Sequence, residues 1–137
     1  MRAALLDTNV YIGHWDQGLY AEPLAEVRRG FVVRQSAVVL SELRRGARTP
    51  AARRLVERLH RSAVASWEPL ADDWWRAGDL IRTIGDAKGW DPRKRREFQN
   101  DALIALTARR HGALLVTANR RDFELLRRRL GVSLLFV

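Results

Sequence analysis

Four acidic residues at widely separated positions could share one site: Asp7, Glu42, Asp101 and Asp122. Carboxylates that meet without a counterion repel one another and raise each other's pKa. A hard divalent cation with oxygen ligands relieves that repulsion, and Mg²⁺ or Mn²⁺ fits the role better than Zn²⁺. Carboxylate-held cations beside a basic surface suit phosphodiester hydrolysis, because an ion can activate water and stabilise the in-line transition state.

Two of these acids lie beside apolar segments, and each could have a purely structural role there. Asp7 ends the apolar run Ala3–Leu6, and Asp commonly forms turns through its own backbone hydrogen bonds. Helical periodicity puts Glu42 on or beside an apolar stripe, where a carboxylate needs an Arg partner, other hydrogen-bond donors or a metal. An ion pair with Arg45 or Arg53 would satisfy Glu42 without any chemistry.

The other two acids lie at predicted helix starts. Asp101 follows Asn100 at the head of an apolar helix, where the helix dipole favours a carboxylate. Asp122 stands three residues after Asn119, as in a capping box. Each acid taken singly is therefore explained by structure, and the prediction of chemistry depends on all four meeting at one edge of a sheet.

Apolar runs of strand length alternate along the chain with longer segments of helical period. The predicted strands are Ala3–Leu6, Phe31–Val33, Ala63–Trp67, Ala113–Val116 and Val132–Val137. The predicted helical segments are Tyr11–Trp15, Tyr20–Arg29, Ala37–Arg45, Pro50 to about His60, Ala71–Ala87, Asn100–His111 and Arg121–Leu130, and a basic loop is predicted over Gly89–Arg96. This alternation is typical of an α/β fold with a mostly parallel sheet covered by helices on both faces. Ligand sites in such sheets collect at the carboxyl ends of the strands.

The composition favours a basic protein of one domain, residues 1–137. The chain has 137 residues and a formal net charge of +9, and two of its 25 basic residues are lysines, Lys88 and Lys94. The charge favours a polyanionic partner, nucleic acid or an anionic membrane surface, although a GC-rich coding sequence also enriches Arg. Cys is absent, which excludes disulfides, thiolate zinc sites and a cysteine nucleophile. No targeting or membrane-spanning segment is visible, and we expect a soluble, cytoplasmic protein.

Four segments resemble, in order, the motifs of PIN-domain proteins. They are Leu5–Val10, Ser36–Ala47, Asn100–Ala105 and Thr117–Phe123. The chain is most similar to the VapC-type toxins, which are Mg²⁺-dependent ribonucleases of toxin–antitoxin pairs. The resemblance implies a three-layer α/β/α PIN-like fold, a homodimer, and a small antitoxin whose tail blocks the site, often with a basic side chain.

The resemblance also implies roles for individual residues. Asp7, Glu42 and Asp101 would be the core metal ligands, with Asp122 as the fourth acid that holds or orients a metal, Mg²⁺ or its substitute Mn²⁺. Supporting polar residues would be Thr8, Thr117 and Asn119. Arginines next to these acids are the candidate contacts to substrate phosphates: Arg44, Arg45, Arg120 and Arg121. The basic run Arg93–Arg96 and Glu97 are less typical of the family, and the sequence assigns them no role.

The function expected from these patterns is Mg²⁺-dependent endoribonuclease activity, with tRNA, rRNA and mRNA all open as targets. One alternative is a PIN-domain nuclease that processes RNA without an antitoxin. Another is a nucleic-acid-binding module without catalysis, although a pure binder gains nothing from four carboxylates beside phosphate. An aspartyl-phosphate phosphatase is disfavoured because Asn9 stands where such enzymes usually have a second Asp. Trp90, beside the basic run, is a candidate for contact with RNA bases.

Overall fold

The computed structural model, which describes residues 1–137, contains a five-stranded sheet and seven helices. The strands are β1 Ala3–Leu6, β2 Val32–Ser36, β3 Ser66–Trp67, β4 Leu114–Thr117 and β5 Ser133–Phe136. The helices are α1 Thr8–Gln17, α2 Ala21–Gly30, α3 Ala37–Gly46, α4 Pro50–Ser62, α5 Ala71–Lys88, α6 Pro92–Arg110 and α7 Arg120–Arg127. No helix is both long enough and apolar enough to cross a membrane.

The sheet has the strand order β3-β2-β1-β4-β5, and every neighbouring pair is parallel. Strand β1 lies at the centre, where Leu5 pairs with Arg34 of β2 and with Leu115 of β4. The central strands are buried because parallel strands linked by helical crossovers are covered on both faces. The predicted three-layer α/β architecture is confirmed, and the carboxyl ends of β1 and β4 lie side by side.

Helix α6 begins earlier than the sequence predicts, so the basic loop predicted over 89–96 is limited to residues 89–91 and is wrong for residues 92–96. Gly89 ends α5 in the left-handed conformation, and Asp91 then caps α6 by accepting a hydrogen bond from the Lys94 backbone N–H. Pro92 occupies the first turn, where its missing N–H is not needed. Helix α6 therefore starts at Pro92 instead of Asn100, and the whole basic run Arg93–Arg96 is helical.

The earlier start of α6 changes the interpretation of Asp101. That residue is the tenth of the helix instead of a member of its first turn, so the helix dipole does not explain it, since the dipole's influence falls off within the first turn. Lys94 lies seven residues before Asp101 on the same helix, which puts both side chains on one face.

Smaller differences concern where other elements begin and end. Helix α1 starts at Thr8 instead of Tyr11 because the Asp7 side chain caps it. Strand β3 is limited to Ser66–Trp67, while β2 extends to Ser36, whose side chain also caps α3. The core is centred on α6, β1 and β4, where Phe98, Leu103 and Leu115 are fully buried.

Candidate active site

Asp7 lies at the carboxyl end of β1 and joins the two central strands. It is 3% exposed, and its Oδ2 accepts hydrogen bonds from Thr117 Oγ1 at 2.7 Å and Asn9 Nδ2 at 3.1 Å. The Asn9 side chain in turn accepts from the Ala118 N–H at 3.1 Å. Burial raises the Asp7 pKa and the nearby Glu42 carboxylate raises it further, although the hydrogen bonds from Thr117, Thr8 and Asn9 oppose both effects. Asp7 is therefore a buried, rigidly held carboxylate.

Glu42 faces the same end of the sheet from α3. Its Oε1 accepts a hydrogen bond of 2.7 Å from Thr8 Oγ1, which ties α3 to the start of α1. Glu42 forms no ion pair with Arg45 or Arg53, because its partner is the Thr8 hydroxyl. The ion pair by which the sequence could explain Glu42 is therefore not formed, and a hydroxyl takes its place.

Asp101 projects from the middle of α6 toward the other three acids. Asn119 Nδ2 donates to its Oδ2 at 3.4 Å. Its pKa is raised to about 8, first by burial and then by the charges of the neighbouring carboxylates, Asp7, Asp122 and Glu42. The structure therefore brings the other three predicted acids close enough to Asp101 to affect its ionisation.

Asp122, in the first turn of α7, has both a capping partner and a cationic one. Asn119 caps the helix by accepting from the Asp122 N–H at 3.3 Å, and Asn119 Nδ2 donates to Asp122 Oδ2 at 3.2 Å. The same Oδ2 accepts from Lys94 Nζ at 2.8 Å. Asn119 therefore caps α7, but the predicted capping box is only half formed, because Asp122 Oδ2 accepts from the Asn119 side chain while the Asn119 backbone N–H donates to Thr117 Oγ1.

Three predicted polar residues link the acids to each other. Thr8 bonds Glu42, Thr117 bonds Asp7, and Asn119 bonds both Asp101 and Asp122. Thr117 is fully buried, and its Oγ1 also accepts from the Asn119 N–H at 3.0 Å. The orientation of every acid is therefore set by at least one of these side chains.

The donor chemistry of this cluster fits a hard divalent cation. All of its potential ligands are oxygens, and carboxylates beside one another are the ligand type that Mg²⁺ and Mn²⁺ prefer. No three of the chain's carboxylate or imidazole groups converge tightly enough to hold one ion as they stand. Their oxygens are engaged by Thr8, Thr117 and Lys94 instead, so an ion that binds here requires side-chain rotation.

The four candidate phosphate-binding arginines differ in their surroundings. The Arg120 guanidinium lies over the Phe136 ring at 4.3 Å from the centroid. Arg44 lines an open groove of about 790 Å³ between α3 and α4, whose lining includes none of the four acids. Arg45 and Arg121 are exposed.

Two residues of the site were not assigned a role from the sequence. The sequence indicated nothing about Asn9 beyond its conflict with a phosphatase motif, although Asn9 bridges the ends of β1 and β4. Lys94 was part of the unassigned basic run. Its spacing of two helical turns from Asp101 is the signal that could have found it, had the helix been extended to Pro92.

Comparison with known proteins identifies a family for this arrangement. The model of the PIN domain family matches residues 4–128 of the chain. No curated protein matches the chain significantly.

Solved structures with the same fold come from VapBC complexes. The chain is similar to a chain of VapBC-1 from nontypeable Haemophilus influenzae, with a TM-score of 0.71, 21% identity and coverage of 98% of this chain and 97% of that chain. It is similar to a chain of VapBC2 from Rickettsia felis, bound to a promoter DNA fragment, with a TM-score of 0.68, 22% identity and 98% coverage of both. VapBC-5 of Mycobacterium tuberculosis, from the VapBC family of toxin–antitoxin systems, gives a TM-score of 0.60 and 25% identity over 100% of both chains.

Proposed function

The chain belongs to the PIN domain family, and on this premise we propose that it is a Mg²⁺-dependent endoribonuclease that hydrolyses RNA phosphodiester bonds. The observation that carries the proposal is Asp101. Its carboxyl group lies in the middle of α6 among three other carboxylates, and burial first and then their charges raise its pKa to about 8. Such a cluster opposes folding, and its one cationic partner, Lys94, is outnumbered by four carboxyl groups, which leaves a place for a bound cation.

The four acids would hold the divalent cation, and their neighbours would orient them. Asp7, Glu42 and Asp101 are the proposed core ligands, with Asp122 as the fourth. A bound divalent cation supplies Lewis acidity toward a phosphate oxygen and promotes the ionisation of water. Thr8, Thr117 and Asn119 act on the carboxylates through the hydrogen bonds described above, which limit the rotation of each acid.

The proposed substrate is an RNA whose backbone is drawn to the site by the surrounding positive charge. The net charge of +9 compensates an acidic pocket that alone would repel phosphate. Arg44, Arg45, Arg120 and Arg121 are the proposed phosphate contacts. The choice of RNA over DNA rests on the likeness to VapC-type proteins, and it is tested directly below.

We also propose that the protein acts as the toxin of a VapBC-type pair and works as a homodimer in the cytoplasm. The support is the fold shared with chains of VapBC complexes. A cognate antitoxin could inhibit the enzyme by placing a cationic side chain among the four acids, as Lys94 does within the chain. A small neighbouring open reading frame that encodes a DNA-binding N-terminus would favour this role over antitoxin-free RNA processing.

The experiment that tests the activity compares cleavage of structured RNA by the wild type and by Asp7→Asn and Asp101→Asn, with Mg²⁺ and with EDTA. We expect cleavage by the wild type in Mg²⁺ only, and a loss of at least about 100-fold in each variant, because each removes a proposed ligand of the cation. Asp79→Asn is the matched control, since Asp79 is exposed on α5 and pairs only with Arg82.

Two results would contradict the proposal. Cleavage that survives EDTA and both substitutions would exclude the carboxylate-held cation. Cleavage of single-stranded DNA but not RNA would keep the cation site and overturn the substrate.

A further inference from the structure

Lys94 places a positive charge inside the proposed cation site. Its Nζ lies 2.8 Å from Asp122 Oδ2, and its side chain is one-third exposed. It is one of two lysines in a chain whose other basic residues are all arginines. An exposed cation on a basic surface would remain in water, whereas this ammonium turns inward to the acids.

The Lys94 ammonium is held there by a built aromatic wall. It lies 5.1 Å from the centroid of the Trp90 ring and 5.9 Å from that of Phe98, distances at which a cation is attracted to an aromatic face. Trp90 packs edge-on against the fully buried Phe98, with centroids 4.8 Å apart. The position of the ammonium is therefore defined by packing as well as by charge.

The turn that carries this wall is itself braced. The backbone N–H of Trp90 donates to the Gly85 carbonyl at 2.9 Å, and Arg95 Nε donates to the Trp90 backbone carbonyl at 3.0 Å. Arg95 also pairs with Asp86. These contacts hold Trp90 in place, so that its ring supports Lys94. Trp90 is the residue that the sequence suggests as a contact to RNA bases.

The geometry points to Lys94 as a substrate-binding residue that shares Asp122 with the divalent cation. An ion that takes Asp122 as a ligand releases the ammonium, which is then free to bind a phosphate oxygen of the RNA beside the site. A lysine suits this exchange because its ammonium is a compact charge with three rotatable donors, whereas the guanidinium of arginine is a broad, planar fork. The inference rests on the proposed function, since it requires a cation and a phosphate at this site.

The exchange makes Lys94 a competitor of the cation, which can be measured without any cleavage. We expect Lys94→Met to bind Mn²⁺ about fivefold more tightly than the wild type in an electron paramagnetic resonance titration, because one positive charge next to the ion is removed. Lys94→Arg keeps the charge and should stay near the wild-type affinity. Arg96→Met is the matched control, since it removes an equal charge from an exposed position of the same helix.

The second arm of the experiment uses RNA cleavage in Mg²⁺. We expect Lys94→Met to raise KM about tenfold, the usual loss when a charged hydrogen bond to phosphate is removed, with a smaller change in kcat. Equal Mn²⁺ affinities of Lys94→Met and Arg96→Met would overturn the inference while leaving the proposed nuclease intact. Failure of the wild type to cleave RNA would overturn the nuclease instead, and absence of Mn²⁺ binding by every variant would overturn both.

A measurement on the unsubstituted protein keeps the inference testable if Lys94→Met fails to fold. Selective ¹³C-lysine labelling gives two Cε signals, from Lys94 and from the exposed Lys88. Saturating Mg²⁺ should move the Lys94 signal and leave that of Lys88 in place. A Lys94 signal that does not respond would overturn the proposed exchange.

Discussion

Asp101 occupies a position that opposes folding unless its charge is compensated. A carboxylate in the first turn of a helix is stabilised by the dipole, but Asp101 lies in the middle of α6. Burial and three neighbouring acids raise its pKa from 3.8 to about 8. The folded chain therefore holds a proton on Asp101 at pH values where the unfolded chain has released it.

This difference predicts how stability depends on pH. Between about pH 4 and pH 8 the folded state binds more protons at Asp101 than the unfolded state does, so the free energy of unfolding falls as the pH rises, by at most about 1.4 kcal/mol per pH unit. In EDTA, the Tm of the wild type should fall relative to that of Asp101→Asn between pH 5 and pH 8.5. Parallel Tm curves for the two proteins would contradict the raised pKa, and Asp79→Asn serves as the exposed control.

Replacing Thr117 by valine should disturb the site with little change in the shape of that side chain. Thr117→Val leaves Asp7 Oδ2 without its 2.7 Å donor in a buried place, which should cost about 1–3 kcal/mol of the free energy of unfolding. Cleavage should fall by roughly tenfold or more, as is usual when a residue that orients a metal ligand is lost. Denaturant unfolding and RNA cleavage measure the two effects.

Thr107→Val is the control for that substitution. Thr107 is equally buried, but its hydroxyl donates only to the Leu103 carbonyl of its own helix. We expect a loss of at most about 1 kcal/mol and no change in cleavage. Equal losses of activity from both valine variants would show that Thr117 acts through packing alone.

Helix α6 carries both Lys94 and Asp101, and its capping residue, Asp91, helps to fix the position of Lys94 in the first turn. Asp91→Ala removes the cap that receives the Lys94 N–H at 2.8 Å, and should cost about 1 kcal/mol. Thr49→Ala removes the equivalent cap of α4, with a similar cost. Only Asp91→Ala should also raise KM for RNA, because fraying of the first turn displaces Lys94; an equal KM in both variants would contradict this.

The start of α6 also shows why one part of the site could not be predicted from the sequence. Four consecutive basic residues, 93–96, have no apolar periodicity, so they read as a loop. Asp91 and Pro92 indicate a helix start. The contacts that hold Arg95, with Trp90 and Asp86, lie outside the helix and are not visible in the sequence pattern. The place of Lys94 in the site therefore depends on a helix start at Pro92 that the pattern of the basic run did not indicate.

The order of the strands explains why the acids themselves could be predicted. A parallel sheet collects the ends of its strands at one edge, so a carboxylate after the first strand and polar residues after the fourth are expected to meet once these strands are neighbours. The structure places β1 beside β4, and the side chains of Asp7 and Thr117 are in direct contact. Strand order depends on packing between distant segments, and the sequence patterns did not determine it.

Charge is distributed so that one basic protein contains a small acidic centre. The net charge of +9 arises from arginines spread over several helices, whereas three acids, Asp7 after β1, Glu42 of α3 and Asp122 of α7, lie near Asp101 of α6. Lys94 is the cation that enters this centre. The function of the chain therefore depends on what binds between these acids.

Anomalous diffraction from crystals containing Mn²⁺ tests that claim most directly, because it locates the ion without assuming a substrate. We expect a peak with oxygens of Asp7 and Asp101 at about 2.1 Å, and a loss of that peak in Asp101→Asn. The absence of a peak among the four acids at saturating Mn²⁺, or its persistence in Asp101→Asn, would contradict the account.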